Sequence, residues 1–166
     1  HGETMGDHGL LQKGCRFYEG LVRVPLIFRW PGHFKTNLHS DALVELVDLA
    51  PTLLVAAGLE VTPRMQGRAL TPILTGQADR SVHQSHVVCD FHDSLGYSPA
   101  NTQTQATMTF DGRYKMFIYH REGDLGELFD LQTDPGEFVN LWDEPSLQSL
   151  KLQRMRAHID AFMSTI

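Results

Sequence analysis

The stretch HGETMGDHGLLQKG crowds His1, Glu3, Asp7, His8 and Lys13 among four glycines. Each of these types has its own chemistry. An imidazole can ligate a metal, paired carboxylates can exchange protons, and an ammonium can neutralise an anion. Taken one at a time, the plainer readings weigh more. A histidine at position 1 reads as a solvated end, Lys13 as a surface lysine, and Glu3 with Asp7 as a solvated loop rather than a carboxylate pair. His83, His86 and His92 lie around a candidate strand without the spacing of a zinc site. Asp90 and His92 close that strand and are placed at the border of a substrate pocket. Cys15 and Cys89 are isolated, so neither a zinc knuckle nor a disulfide framework is expected, and a single bridge between them stays open.

The elements that must position these residues can be read from pattern. Residues 1–20 are a polar, glycine-rich loop. VRVPLIFRW (22–30) reads as a strand buried on both faces and stopped by Pro31-Gly32. A helix is expected over 48–57, with Asp48 as N-cap, Pro51 in the first turn and Gly58 just past the end. Val44–Val47 suggests a short strand before it. A helical turn ends at Gly76, and SHVVCDF (85–91) reads as another strand. HDSLGYSPANTQTQ (92–105) has the composition of an exposed loop. ATMTF-DG-RYKMFIYH predicts a hairpin with Asp111-Gly112 in a type I′ turn. ELFDL (127–131) follows as a third antiparallel strand. The tail from Asp143 is helical, with an apolar stripe of Leu147, Leu152, Met155, Ile159, Phe162 and Ile166 facing the hairpin sheet, and Lys151, Arg154, Arg156 and Asp160 off it. Trp30, Trp142, Tyr114 and Tyr119 read as packing, and Arg23 with Glu19 as a structural ion pair.

Length and composition narrow the class. The 166 residues are 42% hydrophobic and 20% charged with a net charge of −6, ordinary for a globular chain able to bury a core. No basic block suggests a nucleic-acid surface. The apolar runs are too short to span a bilayer, and no leader pattern stands at the start.

Three stretches, in order, resemble the sulfatase family of the alkaline-phosphatase-like superfamily. HGETMGDHGLLQKGCRFYEGLVRVPLIFRWPG is similar to the family's metal-adjacent histidine, its G-[DE]-[HR]-G and lysine, and its V-P-L-I strand. VDLAPTLLVAAGLEVTPRMQGRALTPIL is similar to D-x-x-P-T-x-L-x-x-A-G followed by P-x-x-x-x-G-x-[SA]-L. GRYKMFIYHREGDLGELFDLQTDPGEFVNL is similar to R-Y-K and E-L-[YF]-D-L-x-x-D-P-x-E-x-x-N-L. The C/S-x-P-x-R motif that yields formylglycine is absent: Cys15, Cys89 and Ser98 do not open one. The resemblance therefore reaches the C-terminal part only, beginning at the histidine of the metal-binding Asp-His pair with its aspartate cut away.

The resemblance implies an α/β fold: residues 1–92 as the end of the catalytic domain, 93–103 as a boundary loop, and 104–166 as a small α+β subdomain with an antiparallel sheet and a packed C-terminal helix. It implies a sulfuric ester hydrolase that is metal-binding, with calcium as the divalent ion and formylglycine as nucleophile, both in the intact parent. By position His1 resembles the metal ligand and Lys13 the lysine bridging sulfate and leaving-group oxygen; His92 joins as a substrate-binding candidate. His8 receives no chemical role. The fragment alone is expected to be inactive on sulfate esters. The alternatives are a phosphonate monoester or phosphodiester hydrolase of the same superfamily, and a non-catalytic truncated product persisting as a homo-oligomer.

Overall fold

The computed structural model describes residues 1–92, 105–120 and 125–163. They form two compact units. One joins His1–Pro25 to the chain from Val88 onward, and the other is Leu26–Val87. The expected boundary at 93–103 lies outside the described residues.

The first unit is built on a four-stranded sheet in the order β1 (Val87–His92), β2 (Gln105–Phe110), β3 (Tyr114–Tyr119), β4 (Gly126–Asp130). β2–β3 and β3–β4 are antiparallel, with Thr109 opposite Met116 and Met116 opposite Leu128. Alternation sends successive side chains to opposite faces, and here both faces are covered. Ala106, Met108, Phe117 and Phe129 bury against Phe17 from the opening segment. Met116 and Leu128 bury against Trp142 on the other face, where Met155 also packs. The opening segment carries one helical turn, α1 (Glu19–Val22). The expected Arg23–Glu19 pair forms at 3.5 Å. Cys15 and Cys89 both pack at the Phe117 core and form no disulfide.

The hairpin turn differs from the expected type. Asp111 N–H donates to Tyr114 O, so the two central residues are Gly112 and Arg113. Only Gly112 has a positive φ, at 92°, whereas type I′ needs both. The Asp111 side chain takes over the turn, accepting from Arg113 N at 3.0 Å and Tyr114 N at 2.7 Å.

The second unit holds α2 (Leu49–Ala56) and α3 (Thr71–Leu74). α2 ends as expected: Gly58, at φ 72°, donates to Val55 O while Leu59 N donates to Leu54 O. Two expected strands are corrected. At 44–47 the chain instead makes a 3-10 turn, Leu46–Asp48. At 22–30 no strand forms among the described residues, and Ile27 is 86% exposed rather than doubly buried. A strand exists only by pairing, and no described strand lies alongside this segment.

The C-terminal helix is α4 (Gln148–Met163), entered through a 3-10 turn at Pro145–Leu147. It packs on β2 and β3, and only part of the expected stripe turns inward: Met155 packs with Met116, Leu128 and Trp142, and Phe162 lies against His120. Leu152 and Ile159 are 59% and 53% exposed, while Lys151, His158 and Ala161 are buried; Ile166 lies outside the described residues. The sheet face explains the choice, because β2 presents Thr107 and Thr109 there. His158 bridges them, Nε2 to Thr107 Oγ1 at 2.6 Å and Nδ1 to Thr109 Oγ1 at 2.9 Å. Lys151 lays its ammonium 4.0 Å from the Trp142 ring centre, and Arg154 pairs with Asp111.

Candidate active-site segment

The opening loop is tied down by a close backbone contact. Gly2 N donates to Leu21 O at 2.9 Å, and a Cβ on Gly2 would stand 1.9 Å from Gly20 O. No other residue type fits there. Thr4–Leu10 then folds into a tight turn, with Asp7 N bonded to Thr4 O and Gly6 N to Leu10 O. Met5 and His8 adopt φ of 51°, costly for non-glycine residues.

This loop brings Lys13 back across residues 1–3. Its Nζ lies 3.0 Å from His1 Nδ1, donates to Gly2 O at 3.2 Å, and pairs with Glu3 Oε2 at 3.3 Å. The Thr4 N–H bonded to Glu3 Oε1 holds that carboxyl below its ordinary value; Lys13 adds to the lowering and burial opposes it. His8 stacks flat on Tyr18 at 3.8 Å between ring centres and leans on Phe138. Tyr18 in turn donates to Glu127 on β4, and burial followed by that carboxylate pushes its phenol up to about 12.

The structure thus unites two of the three residues singled out from sequence, His1 and Lys13. His92 sits elsewhere on β1, with Nε2 3.3 Å from Asp90 Oδ2 and Nδ1 2.8 Å from Gln105 Nε2. Among the described residues no hydrogen bond joins it to His1 or Lys13. His83 belongs to the second unit, where its Nε2 meets Asp48 Oδ2 at 3.2 Å. Asp48 is fully buried and also accepts from Glu45 N and Arg68 N. Thr52, one turn on, donates to Asp48 O and accepts from Leu70 N. The D-x-x-P-T pattern is thus a clasp that holds the Gly67–Leu70 crossing, where a Cβ on Gly67 would come within 2.0 Å of Val47 O.

His1 Nδ1 lies 3.0 Å from Lys13 Nζ and 3.3 Å from Gly2 O; it accepts from the ammonium only in the Nε2–H tautomer, whereas the Nδ1–H tautomer turns its proton to Gly2 O and leaves the Nε2 lone pair open. Among the described residues no three His, Cys, Asp or Glu side chains gather as a metal cage.

Sequence reasoning missed a buried ion cluster. Lys115, in the middle of β3, is fully buried between Glu19 Oε1 at 2.5 Å and Glu137 Oε1 at 2.8 Å. The signal was present: a lysine alternating in register with Phe117, on the face that must be apolar.

Residues 6–164 match the family model for the N-sulphoglucosamine sulphohydrolase C-terminal domain. The chain belongs to the sulfatase family. This sulfatase domain is 32% identical over 166 residues to the Delta 4,5-hexuronate-2-O-sulfatase of Bacteroides thetaiotaomicron, covering 99% of this chain and 33% of that protein. It is 32% identical over 168 residues to arylsulfatase K of Rattus norvegicus, covering 96% of this chain and 28% of the relative. A solved 2-O GAG sulfatase superposes with a TM-score of 0.84 at 32% identity, over 99% of this chain and 34% of its own. The phosphonate monoester hydrolase of Agrobacterium radiobacter superposes at 0.83 with 24% identity over 99% of this chain and 34% of its own, a likeness of fold. The sulfatase domain therefore has the α/β alkaline-phosphatase-like fold and spans about a third of the relatives it matches.

Proposed function

We propose that this domain forms one wall of the active site of a sulfatase that cleaves sulfate monoesters, with sulfated sugars as the substrate class. The Lys13 ammonium, held beside His1 by the Gly2 contact, is the observation that carries the reading. Sulfate ester cleavage builds negative charge on the sulfuryl oxygens and the departing oxygen. A compact ammonium with three movable donors suits both. His1 Nδ1, Gly2 O and Glu3 Oε2 surround the ammonium here, so a sulfate oxygen would take the place of one of them. His1 would ligate the divalent metal, calcium in the family pattern, and that ion with a formylglycine nucleophile supplies charge neutralisation and attack on sulfur. The sugar preference rests on the names of the bacterial relatives, a hexuronate 2-O-sulfatase and an N-acetylglucosamine-6-O-sulfatase. Phosphonate ester hydrolysis is the rival, supported by likeness of fold alone. The 166 residues alone hold no C/S-x-P-x-R motif and release no sulfate.

The test measures sulfate release from a panel of sulfated mono- and disaccharides by the protein that carries this domain as its C-terminal third. Lys13→Ala lowers kcat/KM there by about 10²–10³-fold, as loss of one donor to developing charge does. Faster turnover of a phosphonate monoester than of every sulfate ester, or full activity in Lys13→Ala, overturns the reading.

A further inference from the structure

The buried Lys115–Glu19–Glu137 cluster takes no part in the chemistry just described, yet it costs the fold a great deal. Lys115 and Glu137 lie in one interior with the half-buried Glu19 at its edge, and burial pushes the Glu137 carboxyl above its ordinary value while the Lys115 ammonium opposes that rise. Glu137 also adopts a φ of 58°, a left-handed conformation that a side chain of its size seldom takes. Strain and charge are both concentrated on one carboxylate.

The contacts of the cluster lead in one direction. Glu137 Oε2 accepts from Glu19 N at 2.6 Å, fixing the first residue of α1. Lys115 Nζ donates to Phe17 O at 3.2 Å and to Glu19 Oε1, fixing the segment just before it. Two residues past Glu19, Leu21 N bonds back to Tyr18 O, and Leu21 O receives Gly2 N at 2.9 Å. Gly2 O then receives Lys13 Nζ. Each link is a single hydrogen bond or one turn of helix, and the Gly2–Gly20 backbone contact leaves it no slack.

We propose that Lys115 and Glu137 are positioning residues for Lys13, holding its ammonium in place from the sheet through Glu19, α1 and Gly2. The assignment rests on the proposed role of Lys13 in ester cleavage. Glu137→Gln separates the two functions of the carboxylate. A glutamine that keeps its oxygen on Glu19 N turns its amide NH₂ toward the Lys115 ammonium; one that turns the other way loses the bond to Glu19 N. The first orientation drives Lys115 from the cluster and the second releases α1 at its start, so either one breaks the tether at one link.

The experiment compares, in the protein that carries this domain, wild type, Glu137→Gln and the double variant Lys115→Met/Glu137→Gln, which leaves no buried lysine beside an uncharged glutamine. All are assayed well below their melting temperatures, with far-UV circular dichroism confirming the fold. On a sulfated sugar, kcat falls about ten- to a hundredfold while KM changes less than about twofold, the mark of a displaced group rather than a smaller folded fraction. In parallel, Lys13 is labelled with limiting amine-acylating reagent and read by peptide mass spectrometry. Its labelling rate rises about tenfold in both variants, as release of a tethered group allows. Unchanged kcat and unchanged Lys13 labelling in folded variants overturn the inference. Faster labelling of Lys13 in a protein whose Lys13→Ala form keeps full activity leaves the tether standing and removes the catalytic reading it was meant to serve.

Discussion

His158 should make the stability of the sheet–helix unit depend on pH in a window that can be stated in advance. Its ring is 2% exposed, and both nitrogens are engaged by the Thr107 and Thr109 hydroxyls. Burial, with His120 nearby, pushes its pKa from 6.5 down to about 4. His120 itself meets Thr107 Oγ1 at 2.9 Å, so protonating both rings would set two cations around one hydroxyl. The unfolded chain binds a proton near pH 6.5 and the folded chain near 4, so between those values the unfolded state holds more protons and stability rises with pH. The lowering corresponds to about 3 kcal/mol, present at neutral pH, of which about 2 kcal/mol is gone by pH 5 and most of the rest by pH 4. Urea unfolding followed by Trp142 emission in a Trp30→Phe background reads this directly, since Trp142 is buried in the same unit. His158→Gln has no titration there and should show a flatter profile. Parallel profiles for the two proteins between pH 7 and pH 5 would refute the argument, because the other histidines and the carboxylates are common to both.

Two further substitutions probe the Asp48 clasp. Asp48→Asn turns an amide NH₂ toward a buried donor and should cost about 3 kcal/mol in denaturant unfolding; a loss under about 1 kcal/mol would show that the clasp does not hold the unit. Gly67→Ala forces a methyl against Val47 O and should cost about 2–4 kcal/mol in the same assay, whereas an unchanged midpoint would mean that the crossing is looser than its geometry.

What was legible in the sequence was whatever local pattern controls. β2 and β3 stand out as apolar runs on either side of Asp111-Gly112, β4 follows them, and α2 ends where Gly58 supplies its left-handed residue. The pairing of His1 with Lys13 was implied by resemblance, and the loop that closes between them depends on a backbone contact at Gly2 that no periodicity encodes. VPLIF has the composition of a strand, but composition does not supply a neighbour, and the segment stands unpaired. The α4 stripe was legible only in part: Met155 packs inward, but Leu152 and Ile159 do not, because apolarity alone does not choose the inward face. Thr107 and Thr109 on β2 chose it instead, and that choice is invisible until strand and helix are set against each other. Lys115 and Glu137 were hidden for the same reason, their partner Glu19 lying about a hundred residues away in sequence.

The inward face of α4 also bears on how many ways the chain can be assembled. A helix packed through leucines can rotate a little or slip a turn and find similar contacts. This one carries three unlike keys: Lys151 for the Trp142 ring, Arg154 for Asp111, and His158 for a pair of threonines. A slip of one residue rotates the helix by about 100° and leaves all three without their locks. A variant with an all-leucine inward face would hold the sheet at least as tightly and specify its seat less well.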